Sequence, residues 1–125
     1  MTERDPVIRE FLLAFWKIHI LHHAEEQGVY GQWMLEELHH HGYRLSPGTL
    51  YPLLARMARR GWLRAAETEN PRDARVYRIT PEGAKVLKRL RASLQELQGE
   101  VGRPESSDRR HRRSAGKSAR PKPRK

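Results

Sequence analysis

SPGTLYPLLARMARRGWL, residues 46–63, is the stretch on which the fold turns. Ser46 can cap a helix by accepting a bond from an orphan N–H, and Pro47 suits the first helical position, where no N–H is required. Leu50, Leu53, Leu54 and Met57 recur at i, i+3, i+4 and i+7 and make one apolar stripe. At about 100° per residue the opposite face carries Gly48, Thr49, Pro52, Arg56 and Arg59. Arg60 puts a cation near the helix's negative end, and Gly61 can take the positive φ that stops it. Pro52 removes the N–H that would bond the Gly48 carbonyl, so a local bend is expected near the helix start. One buried face and one basic, hydroxyl-bearing face are what a helix needs to read a major groove. They equally describe a surface helix with solvated arginines, and the neighbouring segments decide between the two.

Upstream, Pro6 to Glu26 has no internal Gly or Pro and reads as one long helix capped by Asp5. Phe11, Ala14, Ile18, Leu21 and Ala24 are expected on one side, with Ile8, Leu12, Phe15 and Trp16 roughly opposite. A helix apolar on two sides must bury both, and a second subunit is the natural cover for one of them. Gln27-Gly28-Val29 breaks the helix, and Tyr30 to His41 forms a second one with Met34, Leu35 and Leu38 facing inward. His41-Gly42-Tyr43-Arg44 is then a turn, so the 46–63 helix becomes the second member of a helix-turn-helix.

Downstream, residues 62–67 and 75–79 read as two strands around the polar loop Thr68–Ala74, a β-hairpin with a basic rim. Thr80-Pro81-Glu82 opens a fourth helix with a capping hydroxyl, a proline at N1 and an acid in the first turn. That helix should run to about Gln98, and Leu87, Leu90, Leu94, Leu97 and Val101 form a heptad seam of about two repeats. Such a seam is too short for a free coiled coil, but packed against the first helix it would complete a dimer interface. The expected fold is therefore mainly α with a small β-hairpin, a winged helix-turn-helix of order α-α-α-β-β-α, dimerised through its N- and C-terminal helices.

The 125 residues carry a formal net charge of +10, which points to a polyanionic partner, nucleic acid first. The surplus is uneven. Residues 103–125 hold ten Lys/Arg against Glu105 and Asp108, whereas residues 1–102 hold fifteen basic groups against thirteen acidic ones. The chain divides accordingly into a 1–102 DNA-binding and dimerisation domain and a 103–125 tail, basic and expected to be disordered because it has no apolar residue but Ala115 and Ala119. No cysteine is present, which excludes disulfides and thiolate metal sites. Neither a signal peptide nor a membrane span is legible, and the expected location is the cytoplasm.

The ordered blocks carry a resemblance. Tyr30-Gly31, Leu38, Leu45-Ser46-Pro47-Gly48-Thr49-Leu50-Tyr51-Pro52-Leu53-Leu54, Gly61-Trp62-Leu63 and Tyr77-Arg78-Ile79-Thr80-Pro81-Glu82-Gly83 are similar to a PadR-type (phenolic-acid-repressor-like) transcriptional regulator over roughly residues 18–97. The resemblance implies a homodimer that binds operator DNA, usually as a repressor, with the terminal helices forming the dimer. The single C-terminal helix is similar to the shorter branch of that family. The chain departs from the pattern at Gln32, where an aromatic is common, and at Val76, where a second tyrosine is common. Asp73 puts an unfavourable charge in the wing. The last helix also lacks the aromatic that stacks planar drugs in some relatives, although Phe11, Phe15 and Trp16 could line another pocket.

Ser46, Gly48, Thr49, Tyr51, Arg56 and Arg59 of the reading helix, with Arg72 and Arg75 of the wing, are the candidate DNA contacts. Tyr51 can reach phosphate or be a half-buried packing residue. Ile8, Phe11, Leu12, Phe15, Trp16, Leu87, Leu90, Leu94 and Leu97 are the candidate dimer interface, where a small-molecule effector could also act. His19, His22 and His23 share one helix region and His39-His40-His41 ends the next. Two histidines on a face can hold Zn²⁺ or Ni²⁺, but no third ligand is specified, so no metal site and no cofactor is assigned. No nucleophile–base constellation, phosphate-cradling glycine loop or carboxylate pair stands out, and an enzyme is not expected. The expectation is a sequence-specific regulator, a repressor on an inverted-repeat operator of double-stranded DNA. The alternative is a winged-helix module that binds protein or RNA with a basic tail.

Overall fold

The computed structural model describes residues 5–67 and 75–102, in two compact units that meet in sequence between Leu90 and Arg91. Residues 1–4, the wing loop 68–74 and the 103–125 tail lie outside the described residues, and with them Arg72 and Asp73. The elements are α1 (Pro6–Glu26), β1 (Val29–Tyr30), α2 (Gly31–His40), α3 (Pro47–Arg59), β2 (Leu63–Glu67), β3 (Arg75–Ile79) and α4 (Pro81–Val101). This is the α-α-α-β-β-α winged helix expected, with one addition.

The addition is β1. Val29 and Tyr30 pair antiparallel with Tyr77 and Val76, which makes a three-stranded sheet of order β1-β3-β2. Two residues next to a glycine leave no periodicity to detect, which is why the segment read only as a helix break. Its effect is structural: β1 fastens the start of α2 to the wing, and α2 begins at Gly31, with Tyr30 in the strand.

Helix ends follow the expected chemistry with one correction. Asp5 Oδ1 accepts from Val7 N at 3.0 Å and Ile8 N at 3.4 Å, capping α1. Thr80 Oγ1 accepts from Gly83 N at 2.9 Å at the start of α4. Gly42 and Gly61 hold φ of +93° and +87°, as the turn after α2 and the stop of α3 require. Ser46 occupies the N-cap position of α3, but its side chain makes no capping bond; its hydroxyl instead donates to Thr49 Oγ1 at 3.5 Å. Helix α3 runs on through Pro52 to Arg59.

The core of the first unit is Trp16, Ile20, Leu21 and Ala24 of α1, Met34, Leu35 and Leu38 of α2, the α3 stripe Leu50, Leu53, Leu54 and Met57, and Val29, Leu45, Leu63, Tyr77 and Leu87. Two interface expectations are corrected here. Trp16 and Leu87 are both fully buried within the chain itself and leave no surface for a partner. Trp16 also stands edge-on to Tyr43, ring centroids 6.3 Å apart. The outward face of α1 is Val7, Phe11 and Phe15, which are 61%, 64% and 45% exposed. These residues sit four apart, so Phe11 and Phe15 share a face instead of dividing between two. Leu12 is partly buried against the core. In the second unit, α4 continues to Val101, with Leu97 and Val101 exposed and Leu94 half-buried.

Candidate nucleic-acid interface

Helix α3 is held by bonds at both of its ends. Tyr43 N donates to Leu38 O at 3.0 Å and Gly42 N to His39 O at 2.9 Å, closing the turn after α2. His39 Nε2 lies 2.9 Å from the Leu45 carbonyl and donates to it, tying the last turn of α2 to the residue before Ser46. At the far end Trp62 N donates to Met57 O at 3.0 Å, and Gly61 N donates to Ala58 O at 3.0 Å. With Leu50, Leu53, Leu54 and Met57 buried, the opposite face points away from the core by necessity. Ser46, Gly48, Pro52, Arg56 and Arg59 are exposed, and Thr49 is half-exposed.

Gly48 has space around it: a Cβ there would find nothing nearer than Ser46 Oγ at 3.7 Å. Nothing in the chain's own packing therefore demands glycine at that position. Tyr51 is different. A Cβ at Gly31 would run into the Tyr51 ring, so this ring lies flat against the first turn of α2 and leaves only 38% of the residue exposed. Tyr51 packs α3 against the start of α2 and stays partly exposed.

Four cations outside the candidate list border this face and the wing. Lys17 of α1 and Arg60 after α3 join Arg56 and Arg59 around a notch of about 130 Å³ floored by Leu53, Met57 and Trp62. The Arg60 guanidinium stacks over the Trp62 ring at 4.8 Å, which fixes it in place. On the wing, Arg64 of β2 and Arg78 of β3 are direct cross-strand partners, and both are exposed. Like charges directly opposite destabilise a sheet unless an anion lies between or beside them. Their pairing could have been read from the strand register; Lys17 had no local signal, because only the packing of α1 brings it to α3. Arg75 opens β3 and is exposed.

The histidines gather on the other side of α1. His19 and His41 rings are 4.6 Å apart, and Glu37 Oε2 lies 3.2 Å from His41 Nε2 and 3.5 Å from His23 Nε2. Burial, followed by the neighbouring His41, His23 and His22, lowers the pKa of His19. His23 is lowered chiefly by burial and by His22, against the raising effect of Glu37 and Glu26. Burial raises the pKa of Tyr43, whose ring stands edge-on to His19 at 5.4 Å.

A helix-turn-helix whose second member presents arginines outward, backed by a wing edged with further arginines, defines a winged-helix DNA-binding protein. The PadR-like transcriptional regulator family matches residues 20–89. The chain is 47% identical over 95 residues to the transcriptional regulator Rv3488 of Mycobacterium tuberculosis, covering 75% of this chain and 89% of that one. Among solved structures, it resembles a PadR family transcriptional regulator from Eggerthella lenta (TM-score 0.62, 28% identity, 79% of this chain and 92% of the other). A PadR-like regulator from Bacillus cereus is similar at TM-score 0.67 and 25% identity, over 74% and 93% of the two chains. The chain belongs to the PadR-like family of transcriptional regulators, a family of DNA-binding proteins and not of enzymes. No helix among the described residues is long and apolar enough to cross a membrane.

Proposed function

We propose that the protein is a homodimeric repressor that binds an inverted-repeat operator, with one α3 in each of two successive major grooves about one helical turn apart. The observation that carries this reading is the division of α3 into a fully buried face and an exposed face bearing Gly48, Thr49, Arg56 and Arg59. On that face Arg56 reaches base edges, while Ser46, Thr49 and Arg59 flank it toward the backbone. Tyr51 contributes its hydroxyl to a phosphate from a ring already fixed by packing. Lys17, Arg60, Arg64, Arg75 and Arg78 hold the phosphates on either side, joined by Arg72 and the basic tail. The exposed apolar residues of α1 in the first unit, and those at the end of α4 in the second, are each surface for a second subunit to cover. An effector bound there would alter the spacing of the two reading helices, and with it the affinity for both half-sites at once.

The test is binding of the full chain to its own promoter and to random duplex, followed by fluorescence anisotropy. Arg56→Ala should lose about 1–3 kcal/mol on the operator, roughly fivefold to 150-fold, and much less on random DNA. Equal losses on both would make Arg56 a phosphate contact and refute base reading by this residue. A promoter–reporter strain lacking the protein should show raised expression if it represses.

A further inference from the structure

We propose that His19, His23 and His41, together with Glu37, form a binding site for a divalent transition-metal ion of the Zn²⁺ or Ni²⁺ class at the junction of α1 and α2. The sequence offered two separate histidine clusters and no third ligand for either. The fold supplies it, by bringing the C-cap residue of α2 onto the face of α1 that carries His19 and His23.

The geometry is that of a partly closed ligand set. His19 and His23 stand one turn apart on α1, with rings nearly parallel at 13° and centroids 6.4 Å apart. His41 approaches from the end of α2, and one ligand nitrogen from each of the three lies within 4.8 Å of the others. A tetrahedral zinc with bonds of about 2.0–2.1 Å needs its ligand atoms about 3.3 Å apart. Rotation of the exposed His41 ring and small χ adjustments on α1 supply that closure. Glu37 stands beside this group of three, its Oε2 3.5 Å from His23 Nε2 and 3.2 Å from His41 Nε2, and brings a compensating negative charge and a carboxylate that can turn in as the fourth donor.

Ordinary packing leaves a loose end here. His23 Nε2 is buried and has no hydrogen-bond partner, because the Glu37 oxygen lies at ion-pair distance without hydrogen-bond geometry. A buried imidazole nitrogen without a partner is uncommon in a folded protein. Here it faces two further imidazoles and a carboxylate. On the far side of the same ring, Glu26 Oε1 lies 3.8 Å from His23 Nδ1, where a carboxylate steadies a metal-bound histidine. Three imidazoles and one carboxylate suit zinc and nickel, and are a poor set for magnesium or calcium, which want oxygen. His22, His23 and Glu26 make a second set on α1 alone, also with ligand atoms within 4.8 Å. The two sets share His23 and cannot both be filled through it. The first set is favoured because the unpartnered Nε2 faces it and because it joins two helices.

Calorimetric titration of the full chain with zinc chloride, in a buffer that does not bind metals, decides the matter. The expected result is one zinc per chain, with no heat from magnesium chloride under the same conditions. His41→Gln, at an exposed position, and His19→Gln should each weaken zinc binding about tenfold or more, while His22→Gln leaves it unchanged. Thermal melts without zinc establish that each variant is folded; the same zinc concentration should raise the melting temperature of the wild type and of His22→Gln more than that of His41→Gln or His19→Gln. Absence of zinc binding overturns the proposal, as does full affinity in His41→Gln. Loss in His22→Gln with His41→Gln unaffected moves the ion to the α1 set and equally overturns the site proposed.

Discussion

Gly48 is the second residue of α3, exposed, with open space where a side chain would begin. Glycine in a helix is less favourable than alanine by about 0.5–1 kcal/mol, so a chain selected for stability alone has no use for it there. The close approach of the helix backbone to DNA proposed above would give glycine a use there. Gly48→Ala should therefore leave the melting temperature unchanged or a few degrees higher, yet weaken operator binding by tenfold or more. Undiminished operator affinity in a stabilised variant would show that the backbone does not approach DNA at this point. The same scale separates what was legible from what was not. The outward face of α3 follows from the spacing of its leucines, and a single stretch of sequence contains it. The role of Tyr51 does not, because the ring's partner, Gly31, is twenty residues away and signals nothing locally. Ser46 shows the limit of a composition rule: the N-cap position was legible, but the hydroxyl turns to Thr49 instead of a backbone N–H.

Among the elements, the junction after α3 depends on one residue. Thr80 Oγ1 donates to the Gly61 carbonyl at 2.6 Å and accepts from Gly83 N at 2.9 Å, while Thr80 N donates to Trp62 O at 3.1 Å. A Cβ on Gly83 would collide with that same Trp62 carbonyl, so the first turn of α4 sits directly on the end of α3. Thr80 thus caps α4 and fixes where the reading helix stops. Thr80→Val keeps the shape and removes both side-chain bonds, an expected loss of about 1–3 kcal/mol. For a domain of this size that is a fall of several degrees or more in melting temperature, with Thr80→Ser restoring most of it. A valine variant as stable as wild type would show that the junction is held by packing alone. The cap on α4 was legible because helix-start chemistry is local; the bond to Gly61, nineteen residues back, was not. Strand β1 and the nearness of His41 to His19 were not legible for a related reason. Each acquires its role from pairing or packing with a segment remote in sequence, and no pattern within its own neighbourhood encodes it.

For the whole molecule the telling feature is the apolar surface left uncovered among the described residues. Val7, Phe11 and Phe15 line one face of α1, and Leu97 and Val101 remain exposed at the end of α4. Large apolar groups grouped on one helix face mark an interaction surface, and a symmetric pairing of two chains buries each of them twice. The sequence indicated that α1 had apolar surface to spare, but assigned Trp16 to it, because the helical wheel shows which residues are apolar and not which neighbour reaches them first. Burying a whole phenylalanine contributes about 1.5–3 kcal/mol, and Phe15 has about half of its surface left to bury, so one change counted twice across a two-fold interface removes about 1.5–3 kcal/mol, roughly tenfold to a hundredfold in the dimer dissociation constant. Phe15→Glu, which also places two like charges at that interface, should shift the sedimentation mass of the 14.7 kDa chain from twice that value toward the single value at micromolar concentration. Operator affinity should fall with it, since two linked reading helices bind far more tightly than one. Binding to a single half-site, measured with the variant in excess, should survive because the substitution leaves every residue of α3 unchanged. A variant that sediments as wild type, or a wild-type chain that sediments at 14.7 kDa, would refute the dimer.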